Sequence, residues 1–242
     1  MWAICKKEFR QFFSNLTGYL AIALFLLLNG LLLFVFSSFN ILDYGYATLD
    51  NFFTLAPYVL LILVPAVTMR LFPDEWKTGT MEILQTRPLS GLQIAGGKFA
   101  AALLVVVMAL LPTLVYVISI KMLAADGTTL DSGGIIGSYI GLFFLGSAFT
   151  AISTCASSYT SNSIVAFLSA AFLCFILYSG FEAISSLPLF QSGMDYYLQQ
   201  TGMEFHYRSL SRGVLDSRDL IYFISLNIFF LFLTIKRISK KP

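Results

Sequence analysis

Residues 16–42, LTGYLAIALFLLLNGLLLFVFSSFNIL, run for 27 positions without a charged side chain. A helix that crosses about 30 Å of hydrocarbon needs roughly 20 such residues. Lys6, Lys7 and Arg10 precede the run as they would in a secretory signal, but the run is too long for a signal's apolar region. We therefore expect an uncleaved helix that spans a membrane.

The rest of the chain is similarly apolar. Hydrophobic residues make up 57% of the 242 residues and charged residues 12%, which is more apolar than a soluble domain of this size. Because lipid cannot hydrogen-bond an exposed backbone, the long uncharged runs must be helices. The sequence thus predicts an all-α membrane protein, one transmembrane domain over residues 1–242, with six spans at residues 16–39, 52–69, 99–120, 135–157, 164–181 and 220–235. The last of these spans is short, so it must either stand nearly upright in the membrane or include its flanking residues.

Basic residues are distributed unevenly between the two sides of this topology. If both termini are cytoplasmic, the cytoplasmic side carries Lys6, Lys7, Arg10, Arg70, Lys77, Arg87, Lys98, Lys236, Arg237, Lys240 and Lys241. The outer side carries only Lys121, Arg208, Arg212 and Arg218. This bias follows the positive-inside rule, and an even number of spans agrees with it.

The residues before the first span form an amphipathic pattern. One face of a helix would carry Trp2, Cys5, Phe9, Phe12 and Phe13, and the other face Lys6, Lys7 and Arg10. This pattern predicts a helix that lies along the inner leaflet, with Trp2, Phe9, Phe12 and Phe13 as interfacial anchors. A plain membrane anchor and a mechanical role both remain open.

The connector, residues 70–98, is a long polar segment between the second and third spans. Pro88 limits its helix to about Gly79–Arg87. Glu82 in the first turn and Arg87 at the end both suit the helix dipole. A solvated loop helix and a handle for a separate cytoplasmic motor are both compatible with these features.

The connector ends in a new helix start. Ser90 and Gln93 form an S-x-x-Q capping box. The following Gly96-Gly97-Lys98 resembles the end of a phosphate-binding loop, but that motif requires glycine in place of Leu92 and Ser or Thr in place of Phe99. We expect no ATP site in this chain.

Two further patterns concern the outer half of the protein. Gly133, Gly137 and Gly141 open the fourth span at small-xxx-small spacing, which favours close helix packing over a substrate-lining stripe. The segment of about residues 182–219 carries Met203, Tyr207, Leu210 and Val214 at helical spacing. It predicts an amphipathic outer segment before the last span.

The sequence lacks the residues that several classes of function require. A net charge of +2 without a basic run excludes nucleic acid as a partner. His206 is the single histidine, and Cys5, Cys155 and Cys174 lack metal-ligand spacing, so neither catalysis nor a metal site is expected. An ion-coupled secondary transporter remains an alternative, although no predicted span contains an ionisable residue. Sodium sites made of backbone and hydroxyl oxygens would still be possible.

The order of these parts resembles the ABC-2 family of ATP-binding-cassette permeases along essentially the whole chain. The connector has the form Glu75-x-x-x-Gly79-Thr80-x-Glu82-x-Leu84-x-x-x-Pro88-x-Ser90. Within the family, the chain is most similar to gliding-motility-associated permease subunits of the GldF type. The phrases that carry this narrower likeness are residues 55–57 (LAP), 64–70 (VPAVTMR) and 205–219 (FHYRSLSRGVLDSRD).

The resemblance implies a mechanism and partners. The connector helix would be a coupling helix that docks on a separate ABC ATPase subunit through Gly79, Thr80, Met81, Glu82, Ile83, Leu84 and Arg87. ATP and Mg would be bound by that ATPase, with no cofactor on this chain. The resemblance also implies a bacterial inner-membrane location, with membrane lipid around the chain and a second permease copy or a larger related permease with a periplasmic domain beside it. The cargo stays open, as does a non-transporting role in membrane assembly.

Overall fold

The computed structural model describes residues 1–14, 16–36, 48–86, 88–124, 130–188 and 194–239. Every regular element in these ranges is helical. The helices are α1 Trp2–Ser14, α2 Thr17–Phe34, α3 Asp50–Thr68, α4 Pro73–Lys77, α5 Thr80–Thr86, α6 Gly91–Leu110, α7 Leu114–Leu123, α8 Ser132–Ser158, α9 Ser163–Phe175, α10 Phe181–Ser185, α11 Asp195–Gln199, α12 Met203–Ser211 and α13 Ser217–Ser239. The outer end of the first predicted span, residues 37–39, and Arg87 of the predicted connector helix lie outside the described residues.

The second to sixth predicted spans correspond to helical segments that are longer than the uncharged runs. By length and composition, the described residues contain five segments able to cross a membrane: Asp50–Lys77, Gly91–Leu123, Ser132–Ser158, Ser163–Ser185 and Ser217–Ser239. A sixth results if α1 and α2, which meet at a bend of 68°, are counted together. The last span has a short uncharged run but a long helix, because α13 includes the polar flanks on both sides, as one of the two expectations required.

Proline residues have different effects in the second and third spans. Pro57 and Pro65 are buried inside α3, and the helix continues through both. Pro112 coincides with a 3₁₀ turn, Leu111–Thr113, that separates α6 from α7. Proline removes a backbone donor, and neighbouring helices can compensate for that loss in a membrane bundle.

Helix α8 lies at the centre of the bundle and packs against α3, α6, α9, α12 and α13. Several of its buried hydroxyls bond to carbonyls of their own helix. Thr150 Oγ1 donates to the Gly146 carbonyl at 2.7 Å, and Thr154 Oγ1 to the Thr150 carbonyl at 2.6 Å. These hydroxyls are thus already satisfied, as expected of a packed helix.

Helix α12 covers the end of the bundle opposite the connector, which we call the outer end. Met203, Tyr207 and Leu210 are buried, and Tyr207 Oη donates a hydrogen bond of 2.6 Å to the Phe53 carbonyl of α3. Val214, which the sequence placed on the same face, is 65% exposed because α12 ends before it. The amphipathic segment is therefore a short helix packed on protein, and it ends earlier than its sequence pattern suggested.

The glycines of α8 bring α12 close. A Cβ on Gly137 would lie 2.5 Å from the Leu210 carbonyl oxygen, and one on Gly141 would lie 3.1 Å from the Tyr207 ring. Gly133 has more room for its own Cβ, although its backbone contacts Gly213. The small residues thus allow a close crossing of α8 and α12.

Candidate functional site

The connector forms a short helix at the end of the bundle opposite α12, which we call the connector end. Helix α4 ends at Lys77, and Gly79 has φ of +69°, a left-handed conformation that favours glycine. The chain then turns into α5, Thr80–Thr86. Below α5, Ser90 and Gln93 form the predicted capping box at the start of α6, with both hydrogen bonds present.

One side of α5 faces the protein and the other side is exposed. Met81 is fully buried and Leu84 packs partly against the core, whereas Ile83 is 58% exposed and Glu82 is exposed. Met81, which the sequence analysis grouped with the docking residues, thus packs α5 against the bundle in this structure. The accessible surface of α5 is therefore centred on Glu82 and Ile83.

A buried cluster of four charged side chains lies beneath this helix. We call it the ion cluster; it consists of Lys7 and Glu8 of α1, Glu75 of α4 and Lys98 of α6. Lys98 Nζ lies 2.9 Å from Glu8 Oε1 and 2.9 Å from Glu75 Oε2. Lys7 Nζ lies 2.9 Å from Glu75 Oε1 and 3.2 Å from Glu8 Oε1. Three helices that are distant in sequence are thus joined by ion pairs.

Lys98 is the centre of the ion cluster, and its ammonium group has no exposed surface. It donates a further hydrogen bond of 2.6 Å to the Leu71 carbonyl and lies 5.1 Å from the centre of the Phe72 ring. A buried ammonium is tolerated only when it is paired and hydrogen-bonded. Here it donates hydrogen bonds to the Glu8 carboxylate and the Leu71 carbonyl and forms an ion pair with Glu75.

The cluster contains two positive and two negative side chains, so the site is neutral overall. Lys7 is the half-exposed member. Partial burial disfavours the charge of Lys7, but contacts with Glu75 and Glu8 outweigh burial and raise the pKa of its ammonium. The two carboxylates therefore stabilise Lys7 in its charged form.

Helix α1 is seated on α6 by the glycines that resembled a phosphate-binding loop. A Cβ on Gly97 would lie 2.9 Å from Ile4 Cβ and 3.0 Å from the Met1 carbonyl oxygen. A Cβ on Gly96 would lie 3.2 Å from the Met1 sulfur. Gly96 and Gly97 thus permit the close approach that brings Glu8 to Lys98.

The predicted interfacial anchors of α1 occupy different environments. Trp2 is 75% exposed, Phe12 is buried, and Phe9 and Phe13 pack partly against the core. The buried face of α1 also contains Glu8, which the sequence pattern did not place there. Helix α1 is consequently attached to the bundle as well as amphipathic.

Sequence reasoning missed the ion cluster. It counted Lys7 and Lys98 only as positive charges on the cytoplasmic side and assigned no role to Glu8. Two signals were available: Glu8 lies at helical spacing from Ile4, Cys5 and Phe12, and Lys98 lies seven residues inside a helix that begins at Gly91. Opposite charges on two otherwise apolar helix faces indicate a possible pair.

A comparison with family models shows the family of this chain. A family model described as ABC-2 family transporter protein matches residues 20–203, which are three quarters of the chain. The chain belongs to the ABC-2 transporter family. The match extends from α2 to the first residue of α12 and so includes the connector. None of the curated proteins matches the chain.

Membership fixes the general role of this ABC-2 protein. It is a multi-pass transmembrane permease of an ABC transporter, and the family's membrane component is distinct from its ATPase. The family therefore implies an ABC ATPase as a partner. In the ABC-2 permease described here, the accessible connector helix and the ion cluster beneath it form the candidate functional site.

Proposed function

We propose that this permease is driven by a separate ATPase subunit that docks on α5. The observation that carries the proposal is the two-sided burial of α5: Met81 fixes it to the bundle while Ile83, 58% exposed, and Glu82 face away. An exposed isoleucine beside a carboxylate on a short anchored helix is suited to a protein partner. ATP and Mg would be bound by that partner, and the helices of this chain would move in response.

The ion cluster would transmit the movement of α5 to the rest of the permease. Helix α5 packs on α4, α4 carries Glu75, and Glu75 is joined to Lys98 of α6 and Lys7 of α1. Because packed interfaces switch between discrete arrangements, a displacement of α4 would have to move α1 and α6 with it or break buried ion pairs. The cluster therefore favours a concerted response of three helices.

The proposed function also specifies where the permease lies and which proteins it binds. Both termini and the connector would be cytoplasmic in a bacterial inner membrane, as the distribution of basic residues predicts. A second permease copy or a larger related permease with a periplasmic domain would complete the membrane part, and the GldF-like phrases favour a gliding-motility complex. Affinity purification in mild detergent followed by mass spectrometry tests these partners. Recovery of the chain without any ABC ATPase would contradict the proposal.

Substitutions on the exposed side of α5 should separate docking from folding. Glu82→Lys or Ile83→Asp should reduce co-purification of the ATPase at least tenfold, because each places a mismatched charge in the proposed interface. Both side chains are exposed, so the amount of folded permease should remain unchanged. The measurement is the ratio of ATPase to permease after affinity purification.

Val214→Asp provides the matched control for Ile83→Asp. Val214 is 65% exposed and lies at the outer end of the bundle, so it receives the same charge away from α5. It should leave the ATPase ratio unchanged. Equal ATPase recovery from the Val214 and Ile83 variants would refute docking on α5.

Thiol labelling in sealed cells should test the orientation. The natural cysteines Cys5, Cys155 and Cys174 are all buried, so background labelling should be low. A membrane-impermeant maleimide should label Arg212→Cys in intact cells and Lys77→Cys only after the inner membrane is opened. The reverse pattern would place the connector outside and exclude a cytoplasmic ATPase as its partner.

A further inference from the structure

His206 of α12 has hydrogen-bond acceptors at both ring nitrogens. Its Nδ1 lies 2.7 Å from Asp219 Oδ1 of α13, and its Nε2 lies 2.9 Å from the Gln200 carbonyl oxygen. The ring stacks on Tyr222 with centroids 3.9 Å apart, and the His206 side chain is only 12% exposed. A neighbouring bond of 2.7 Å from Tyr222 Oη to the Thr201 carbonyl joins the same two segments.

These contacts fix the number of protons at the site. A carbonyl oxygen can only accept, so Nε2 must carry a proton that it donates to Gln200. The short Nδ1–Asp219 contact then needs a second proton, which lies either on the imidazole or on the carboxyl group. In both cases the pair holds one proton more than a neutral imidazole and an ionised carboxylate. Loss of that proton leaves two lone pairs facing each other across a partly buried contact.

Other charged groups near the site are already paired or face elsewhere. On α12, Arg208 lies 2.6 Å from Glu204 and 2.8 Å from Glu182 of α10. Burial raises the pKa of Glu204, although the Arg208 charge opposes this effect. On α13, Arg218 is exposed, and Tyr222 contributes its ring face to His206. Asp219 is thus the one carboxyl group in direct contact with the imidazole among the described residues.

Helix α12 also forms a wall of a polar cavity at the outer end of the bundle. The cavity has a volume of about 540 Å³. Its lining includes Glu204, Tyr207 and Arg208 of α12 together with Tyr58 of α3. Ser138 of α8 also lines this cavity but is buried against α12, where its hydroxyl donates a hydrogen bond of 3.3 Å to the Ser211 carbonyl. The position of α12 therefore determines access to Ser138.

We propose that His206 and Asp219 form a proton-binding site that fastens α12 to α13 and holds α12 over Ser138. The proton is bound in this arrangement and is released when α12 separates from α13. By linkage, the stabilisation is lost as the pH rises and the proton leaves. The site thus responds to the proton concentration on the side of the membrane that faces α12.

Labelling of a cysteine beneath α12 tests the proposal on the full-length permease. The reporter is Ser138→Cys, and its labelling rate is divided by that of a cysteine at the exposed Val214 (Val214→Cys) at the same pH, which corrects for thiol ionisation. The ratio should rise about tenfold between about pH 5 and about pH 9, a range that contains the ordinary charge change of histidine. An unchanged ratio would refute the proposal.

Two variants distinguish the effect of losing the shared proton from the effect of altered packing. His206→Phe removes both hydrogen bonds and should give a high ratio at every pH. In Asp219→Asn the amide can donate to a neutral Nδ1 while Nε2–H still bonds to Gln200, so the ratio should stay low at every pH. Both variants retain Glu204 and so control for its titration. Persistence of the pH dependence in Asp219→Asn would overturn the assignment even if His206→Phe does not fold.

Discussion

Lys98→Met should destabilise the folded permease by about 3–5 kcal/mol, the usual result of removing one partner from a buried ion pair. The substitution keeps a long apolar side chain but leaves Glu8 and Glu75 with only the half-exposed Lys7 as a counter-charge. For a chain of this size the thermal midpoint in detergent should fall by roughly 6–20 °C. The measurement is thermal unfolding of the purified protein, followed by intrinsic fluorescence.

Lys77→Met is the matched control for this prediction. Lys77 lies in the same connector but is exposed, so its loss should change stability by about 0.5 kcal/mol or less. Adding Glu75→Gln to Lys98→Met removes one uncompensated charge and should restore part of the midpoint. If Lys98→Met and Lys77→Met melt alike, the buried ion cluster does not contribute as described.

Gly137→Ala should cost about 1–3 kcal/mol or more, because its Cβ would enter a space already occupied by backbone. The nearest atoms would be the Leu210 carbonyl oxygen at 2.5 Å and the Gly213 Cα at 2.9 Å. Backbone atoms cannot rotate away as a side chain can, so α12 must move off α8. Thermal unfolding and the labelling of Ser138→Cys should both register that displacement.

Gly133→Ala tests the same chemical change within the same repeat. A Cβ at Gly133 would meet Asp131 Oδ1 at 3.4 Å, which is an ordinary contact with a side chain. This variant should therefore resemble the unsubstituted protein in both measurements. Equal effects at Gly133 and Gly137 would mean that helix propensity, rather than the crossing of α8 and α12, determines the outcome.

The sequence was sufficient to predict the class of fold, because that class depends on local patterns. Uncharged runs predicted an all-helical membrane protein, and the capping box at Ser90 and Gln93 correctly predicted the start of α6. Helix ends were less accurate, because a helix can continue into polar residues at the membrane surface. α13, for example, extends to Ser239 although its uncharged run ends at Ile235.

The candidate site was only partly predictable, because its contacts join residues far apart in the chain. Local charge and proline spacing predicted the connector helix, but the burial of Met81 depends on how α5 meets the bundle. The pairing of Glu8 with Lys98 depends on a crossing of α1 and α6 that no local pattern specifies. The sequence also contains Gly96 and Gly97, which permit this crossing. Their pattern drew attention only because it resembles part of a phosphate-binding loop.

The near-continuous segment Asp50–Lys77 has a mechanical consequence. Its 28 residues correspond to about 42 Å at 1.5 Å per residue, so tilting it by about 10° around its centre would displace both ends by about 4 Å in opposite directions. The Tyr207 hydroxyl donates a hydrogen bond to the Phe53 carbonyl near the end that lies opposite Lys77. Such a tilt, started at Lys77, would therefore shift the attachment point of α12.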